Sequence, residues 1–154
     1  MKYSFLIILT FMSVFISSAS SCDKNDDNIN TENNNAMTNG KIKIKVNSQT
    51  FTATLLDNNS AKAFKEMLPL TINMIELYSN EKYYDLPSGL PTNSSNCGAI
   101  KNGDLMLYGS KTLVLFYKNF STSYSYTKLG TIDDITGLAT ALGSGNITVT
   151  FELE

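Results

Sequence analysis

The sequence predicts a mainly β fold: a closed β-barrel of about eight strands with two short helices. Several short runs alternate apolar and polar residues with period two, the pattern of strands with one buried face. Only two segments carry helical spacing, and both are short. The run from Gly40 to Glu154 is 115 residues long, enough for one domain, and closing its sheet would leave no unpaired strand edge.

The elements follow in order. Lys41 to Val46 alternates strictly, with Ile42, Ile44 and Val46 on one face. A turn at Asn47-Ser48 leads into Thr50 to Leu56, where Phe51, Ala53 and Leu55 repeat the alternation. Ser60 is read as the cap of a short helix whose Phe64, Met67 and Leu68 share a face, and Pro69 requires that helix to stop. Further strands are expected at Leu70 to Leu77, Asp104 to Tyr108, Thr112 to Tyr117, Ser123 to Ile132 and Ile147 to Leu153. The unbroken apolar run Leu113 to Tyr117 implies burial on both faces. Asp133 or Asp134 is read as the cap of a second helix, with Ile135, Leu138 and Leu142 inward and Gly143 as terminator.

The chain ahead of this unit reads differently. Lys2 precedes an apolar stretch of twelve residues, Phe5 to Ile16. At about 1.5 Å per residue this spans roughly 18 Å, short of the ~30 Å hydrocarbon core, so it reads as an export signal and not a membrane span. The small residues Ser17 to Ser21 then lead to Cys22, and the segment resembles a bacterial lipoprotein signal, with Ala19 where Leu is usual. The division expected is residues 1–21 as signal peptide, 22–39 as lipidated Cys22 plus a tether, and 40–154 as the barrel. The tether holds seven Asn and four acids against one Lys in residues 23–39, with almost nothing to bury. Asp23, Asp26 and Asp27 resemble an acidic surface-export signal. The expectation is a protein of the bacterial cell envelope, lipid-anchored to the outer membrane; a solvated spacer would carry the same acids, so surface exposure is left open. With Cys22 consumed by lipidation, Cys97 cannot belong to a disulfide framework and is read as a passive loop thiol.

Composition excludes much chemistry. The net charge is −2, with no His, and all twelve basic residues are Lys. Nucleic acid is therefore not an expected partner. Without His there is no Ser-His or Cys-His pair, and no zinc or haem set; no cofactor or metal is expected. Ser-x-x-Lys at Ser79/Lys82 and Ser125/Lys128 is too short a motif to carry an acyl-enzyme assignment. Glu81 and Asp85 are read as a carboxylate pair on a surface loop. What remains is a crowd of aromatics in the middle of the chain. Glu81, Lys82, Tyr83, Tyr108, Tyr124 and Tyr126 are the candidate ligand-binding residues, while Phe116 and Tyr117 belong to the core.

The blocks DNNSAKAFKEMLPL (57–70), NEKYYDLP (80–87), GDLMLYGSKTLVLFYK (103–118), FSTSYSYTKLG (120–130) and GLATALGSGNITVTFEL (137–153) resemble the bacterial cyclophilin-like domain family. Tyr108 stands where the family often has Trp, and Cys97 precedes Gly98 where Pro is common. The resemblance implies a cyclophilin β-barrel and no established reaction; the closely spaced tyrosines are read as lining a shallow groove on the face where true cyclophilins bind. True cyclophilins isomerise prolyl bonds with an Arg guanidinium beside a pocket lined by His and Trp, and this chain has none of the three. The expectation is a binding or interaction module for an unknown small molecule or peptide, without prolyl isomerase activity. The alternative is an enzyme of unassigned type using Glu81 or a tyrosine as acid or base.

Overall fold

The computed structural model describes residues 40–154. The expected signal peptide, lipidated Cys22 and tether lie outside the described residues. Ten strands and two helices follow one another: β1 (Lys41–Val46), β2 (Gln49–Leu55), α1 (Asn59–Glu66), β3 (Leu70–Leu77), β4 (Glu81–Asp85), β5 (Ala99–Ile100), β6 (Asp104–Tyr108), β7 (Thr112–Phe116), β8 (Phe120–Ser121), β9 (Thr127–Ile132), α2 (Leu138–Leu142) and β10 (Ile147–Leu153). Eight of them close into an antiparallel barrel in the order β1-β10-β3-β4-β7-β6-β9-β2, and β5 pairs with β8 outside it. The expected mainly β closed barrel is the fold observed.

Alternation sets which side chains enter the barrel. Ile42, Ile44 and Val46 from β1, Ala53 from β2, Met74 from β3 and Phe151 from β10 are fully buried in one core. The β1–β2 hairpin turns through Asn47 at φ 53°, a left-handed value that Asn tolerates better than most residues. Helix α1 is seated against this core, with Phe64 meeting Phe151 edge-on at 5.6 Å between ring centres. Gly130 in β9 is required by close approach: a Cβ there would lie 2.5 Å from the carbonyl oxygen of Thr54.

Several local expectations need correction. The cap of α1 is Asn58, whose side-chain oxygen accepts from the Ala61 amide at 2.8 Å. Ser60 lies one residue inside the helix, and its hydroxyl donates to the Pro91 carbonyl at 2.6 Å. Neither Asp133 nor Asp134 caps α2: its N-cap is Gly137, without a side-chain bond, because the chain before it is a turn held by Asp134 accepting from the Thr136 amide. That turn leaves Ile135 41% exposed, and only Leu138, Ala141 and Leu142 are buried there. Gly143 does end α2, at φ 60°. Residues 123–126 precede β9 instead of extending it. Glu81–Asp85 is a barrel strand and not a loop.

Candidate functional site: an aromatic groove on the outer wall

Strand β4 lies between β3 and β7, with Glu81 opposite Phe116, Tyr83 opposite Val114 and Asp85 opposite Thr112. Period-two geometry puts Glu81, Tyr83 and Asp85 on the outer wall and Lys82 and Tyr84 on the inner face. The same division runs through β7. Leu113, Leu115 and Tyr117 join the barrel core, whereas Val114 and Phe116 point outward and are nevertheless buried. They are covered by a second small core outside the barrel, built with Ile100, Met106 and Tyr126 and packed against Tyr83 and Phe120. The apolar run is therefore buried on both faces, as its sequence implies.

The cover is the segment 117–126. It leaves β7 and pairs through β8 with β5. It is then fastened by reciprocal backbone hydrogen bonds of 3.0 Å between Ser95 and Tyr126. This path carries an aromatic chain across the wall. Phe120 meets Phe116 at 5.5 Å, Phe116 meets Tyr126 at 5.4 Å, and Tyr126 meets Tyr108 at 5.6 Å. Tyr108 in turn meets Tyr124 edge-on at 5.9 Å. Each such contact contributes about 0.5–1.5 kcal/mol beyond the area it buries, so the cover is fixed at its buried end. Exposure rises along the chain, from Tyr126 at 6% to Tyr108 at 47% and Tyr124 at 60%.

Between this cover and β4 lies a groove of about 570 Å³. That is within the roughly 300–1,000 Å³ typical of small-molecule sites. Glu81, Tyr83, Tyr108, Tyr124 and Tyr126 all line it, together with Asp85, Phe120 and Tyr78, which were not among the candidates. Lys82 is absent from the lining. Its side chain is completely buried on the opposite face of β4.

The groove's two carboxylates differ. Asp85 accepts a hydrogen bond from the Thr112 hydroxyl at 2.7 Å. No hydrogen bond or ion pair reaches the Glu81 carboxylate from the described residues. Burial, and secondly the charge of Glu76, push its pKa up from 4.5 to about 7. Burial, with Glu81's charge adding to it, raises the Tyr126 hydroxyl to about 12. Among the described residues no Tyr hydroxyl hydrogen-bonds Glu81, so Glu81 is not part of an assembled acid–base pair. Among the described residues no three acidic or cysteine side chains gather as metal ligands.

Lys82 belongs to a separate cluster. Its ammonium donates to the Glu76 carboxylate and to the carbonyls of Gly143 at 2.9 Å and Gly145 at 2.6 Å, which uses all three protons. Tyr117 donates to both oxygens of Glu76, at 2.8 and 2.9 Å. Burial alone would raise Glu76, but hydrogen bonds from Lys82 and Tyr117 outweigh it and hold the carboxyl below its ordinary value. The cluster pins the turn between α2 and β10 to β3, β4 and the residue that follows β7.

The profile of the cyclophilin-like family matches residues 44–152. The chain belongs to the cyclophilin-like family. Among solved structures, this cyclophilin-like chain is similar to the solution structure of a hypothetical protein from Archaeoglobus fulgidus. The TM-score is 0.53 at 13% identity, and the match covers 76% of this chain and 96% of the other. That likeness concerns the fold. Among curated proteins none matches the sequence.

The sequence gives no sign of Asp85 as a lining residue because Glu81–Asp85 reads as a loop. Read as a strand, Glu81, Tyr83 and Asp85 share a face, and the five residues sort themselves correctly. Tyr78 and Phe120 carried no signal of their own, since a turn and a cover segment bring them in.

Proposed function

We propose that this cyclophilin-like protein is a binding module, anchored to the cell envelope by lipid on Cys22, that captures its ligand in the outer groove. The observation that carries the reading is the groove itself. Five tyrosines and a glutamate without a partner among the described residues are drawn from three separated parts of the chain to one concave wall. A wall that served only packing would bury these rings; Tyr108 and Tyr124 instead keep 47% and 60% of their surface open. The anchor is supported by the twelve-residue apolar stretch that ends in small residues before Cys22. Absence of prolyl isomerase activity is part of the proposal, since no Arg is available to supply a guanidinium.

The test is a thermal-shift screen of small molecules and short peptides on wild type and on Tyr108→Ala and Tyr124→Ala. Ligands that stabilise wild type and lose that effect in both variants support the reading. Ligands that act equally on all three place binding elsewhere. Mass spectrometry of the membrane fraction should show lipid on Cys22, and Cys22→Ala should release the protein. A prolyl-peptide assay should show only the spontaneous rate. One observation favours a second reading as an enzyme: Glu81, with its carboxyl near pH 7, is poised for general acid–base work. In that case Glu81→Gln would abolish a turnover that the tyrosine variants merely weaken.

A further inference from the structure

The charge in the groove has one sign. Glu81 and Asp85 are its carboxylates, and no lysine lines it. Lys82, adjacent in sequence, is spent on Glu76 and two carbonyls behind the strand. Asp85 has the Thr112 hydroxyl as a partner. Glu81 has none, although it sits in a half-dry recess that also holds Tyr83, Tyr108 and Tyr126. A carboxylate and aromatic faces attract the same kind of guest. The carboxylate offers Coulomb attraction and hydrogen-bond acceptors, and a ring offers the negative face of its quadrupole. An anion would face two carboxylates. A neutral guest would displace water from Glu81 and leave nothing in its place.

Resting on the binding-module reading above, we propose that the groove takes an organic ammonium ion. The ligand is an amine on an apolar body, its charge set against Glu81 and its body along the tyrosines. Asp85, farther along the same strand, adds to the field without contacting the charge. The carboxylate must be ionised to pair, so binding depends on pH. The titratable groups that line the groove with Glu81 are Asp85 and Tyr83 on β4, Tyr78 ahead of it, Tyr108 from β6, and Tyr126 and Tyr124 from the cover, while Glu76 from β3 and Tyr117 after β7 act on it through the wall from the inner face. Glu76 is held low, whereas Tyr117 and Tyr126 are raised, which leaves Glu81 to govern the neutral range.

The experiment compares 2-phenylethylammonium with neutral 2-phenylethanol and anionic 3-phenylpropionate. Binding is followed by calorimetry and by tyrosine fluorescence, which no Trp obscures. The cation should bind about fivefold or more tightly than the alcohol, as a partly desolvated ion pair with cation–π support allows, and the anion should bind weakest. Glu81→Gln should abolish the preference for the cation over the alcohol. From pH 6 to 8 the cation's affinity should rise severalfold in wild type and stay flat in Glu81→Gln. A capped Ala-Lys-Ala peptide separates the two sources of such a charge: tighter binding than the free amine assigns it to a lysine side chain, weaker binding to a small amine. Equal binding of cation and alcohol, insensitive to Glu81→Gln, would overturn the ammonium assignment while leaving the groove a binding site. Failure of the cation to bind at millimolar concentration would overturn it as well. The groove reading is judged independently, by the tyrosine variants in the screen.

Discussion

Glu76 and Glu81 lie five residues apart on the β3–β4 hairpin and face opposite sides of the barrel wall. Glu76 points inward and receives Lys82 and Tyr117. Glu81 points outward beneath a cover and receives no hydrogen bond or ion pair from the described residues. The same functional group is held below its ordinary pKa on one side and raised to about 7 on the other. Burial raises both; only the partners differ. A desolvated carboxylate whose partners are all present is a structural element, whereas one without them is available to something outside the chain.

Breaking the inner cluster should have the largest effect. Lys82→Met leaves the Glu76 carboxylate facing an apolar stem, and removing one partner of a buried pair costs about 3–5 kcal/mol. Urea denaturation would read this as a large fall in midpoint. Lys82→Met combined with Glu76→Gln should recover much of the loss, because no uncompensated charge remains. If the single and double variants are equally unstable, the cluster is not an ion pair in effect. Next comes Tyr126→Ala, which should cost about 3 kcal/mol because the ring is a buried link between Phe116 and Tyr108. Tyr126 thus belongs with the small outer core as well as the groove.

Glu81→Gln is smaller and opposite in sign. A carboxyl with a raised native pKa stabilises fully below its unfolded value near 4.5, and that contribution is lost as pH rises to about 7. Above pH 7, Glu81→Gln should therefore be more stable than wild type by about 1 kcal/mol after allowance for solvent screening, with the gap closing below pH 4.5. Glu76 works the other way: its lowered pKa gives stability above its unfolded value that is lost as pH falls through the native one. A pH series of denaturation midpoints on wild type and both single variants separates the two. Smallest of all, Tyr124→Ala should change stability by no more than about 0.5 kcal/mol while weakening any ligand that the groove holds.

The regular half of the barrel was legible because β1, β2 and β10 each alternate cleanly, and the apolar run of β7 announced its two buried faces. Strand β4 was not legible. Its residues Glu81 to Asp85 are polar or aromatic throughout, so no apolar face marks it. The hairpin that introduces it turns through Tyr78 and Ser79, both at positive φ, where Asn or Gly would have signalled the turn. Non-glycine residues in that conformation cost roughly 1–2 kcal/mol each, which the surrounding ladder must offset. Missing this strand put Lys82 among the groove candidates, since in a loop neighbouring residues share one surface. Once the strand is known, Lys82 must face away from Glu81 and Tyr83. The cover segment was invisible for a different reason: its position depends on pairing between Phe120-Ser121 and Ala99-Ile100, contacts that no local pattern encodes.

The most direct test of the contrast between the two carboxylates is a carbon-13 NMR titration of the glutamate carboxyl signals, assigned with Glu81→Gln and Glu76→Gln. The account predicts that the Glu81 carboxyl titrates near pH 7 while the Glu76 carboxyl titrates below its ordinary 4.5. Two carboxyls titrating together near 4.5 would contradict it, for the outer carboxylate would then be solvated or already partnered, and the groove would have no unmet charge to offer a ligand.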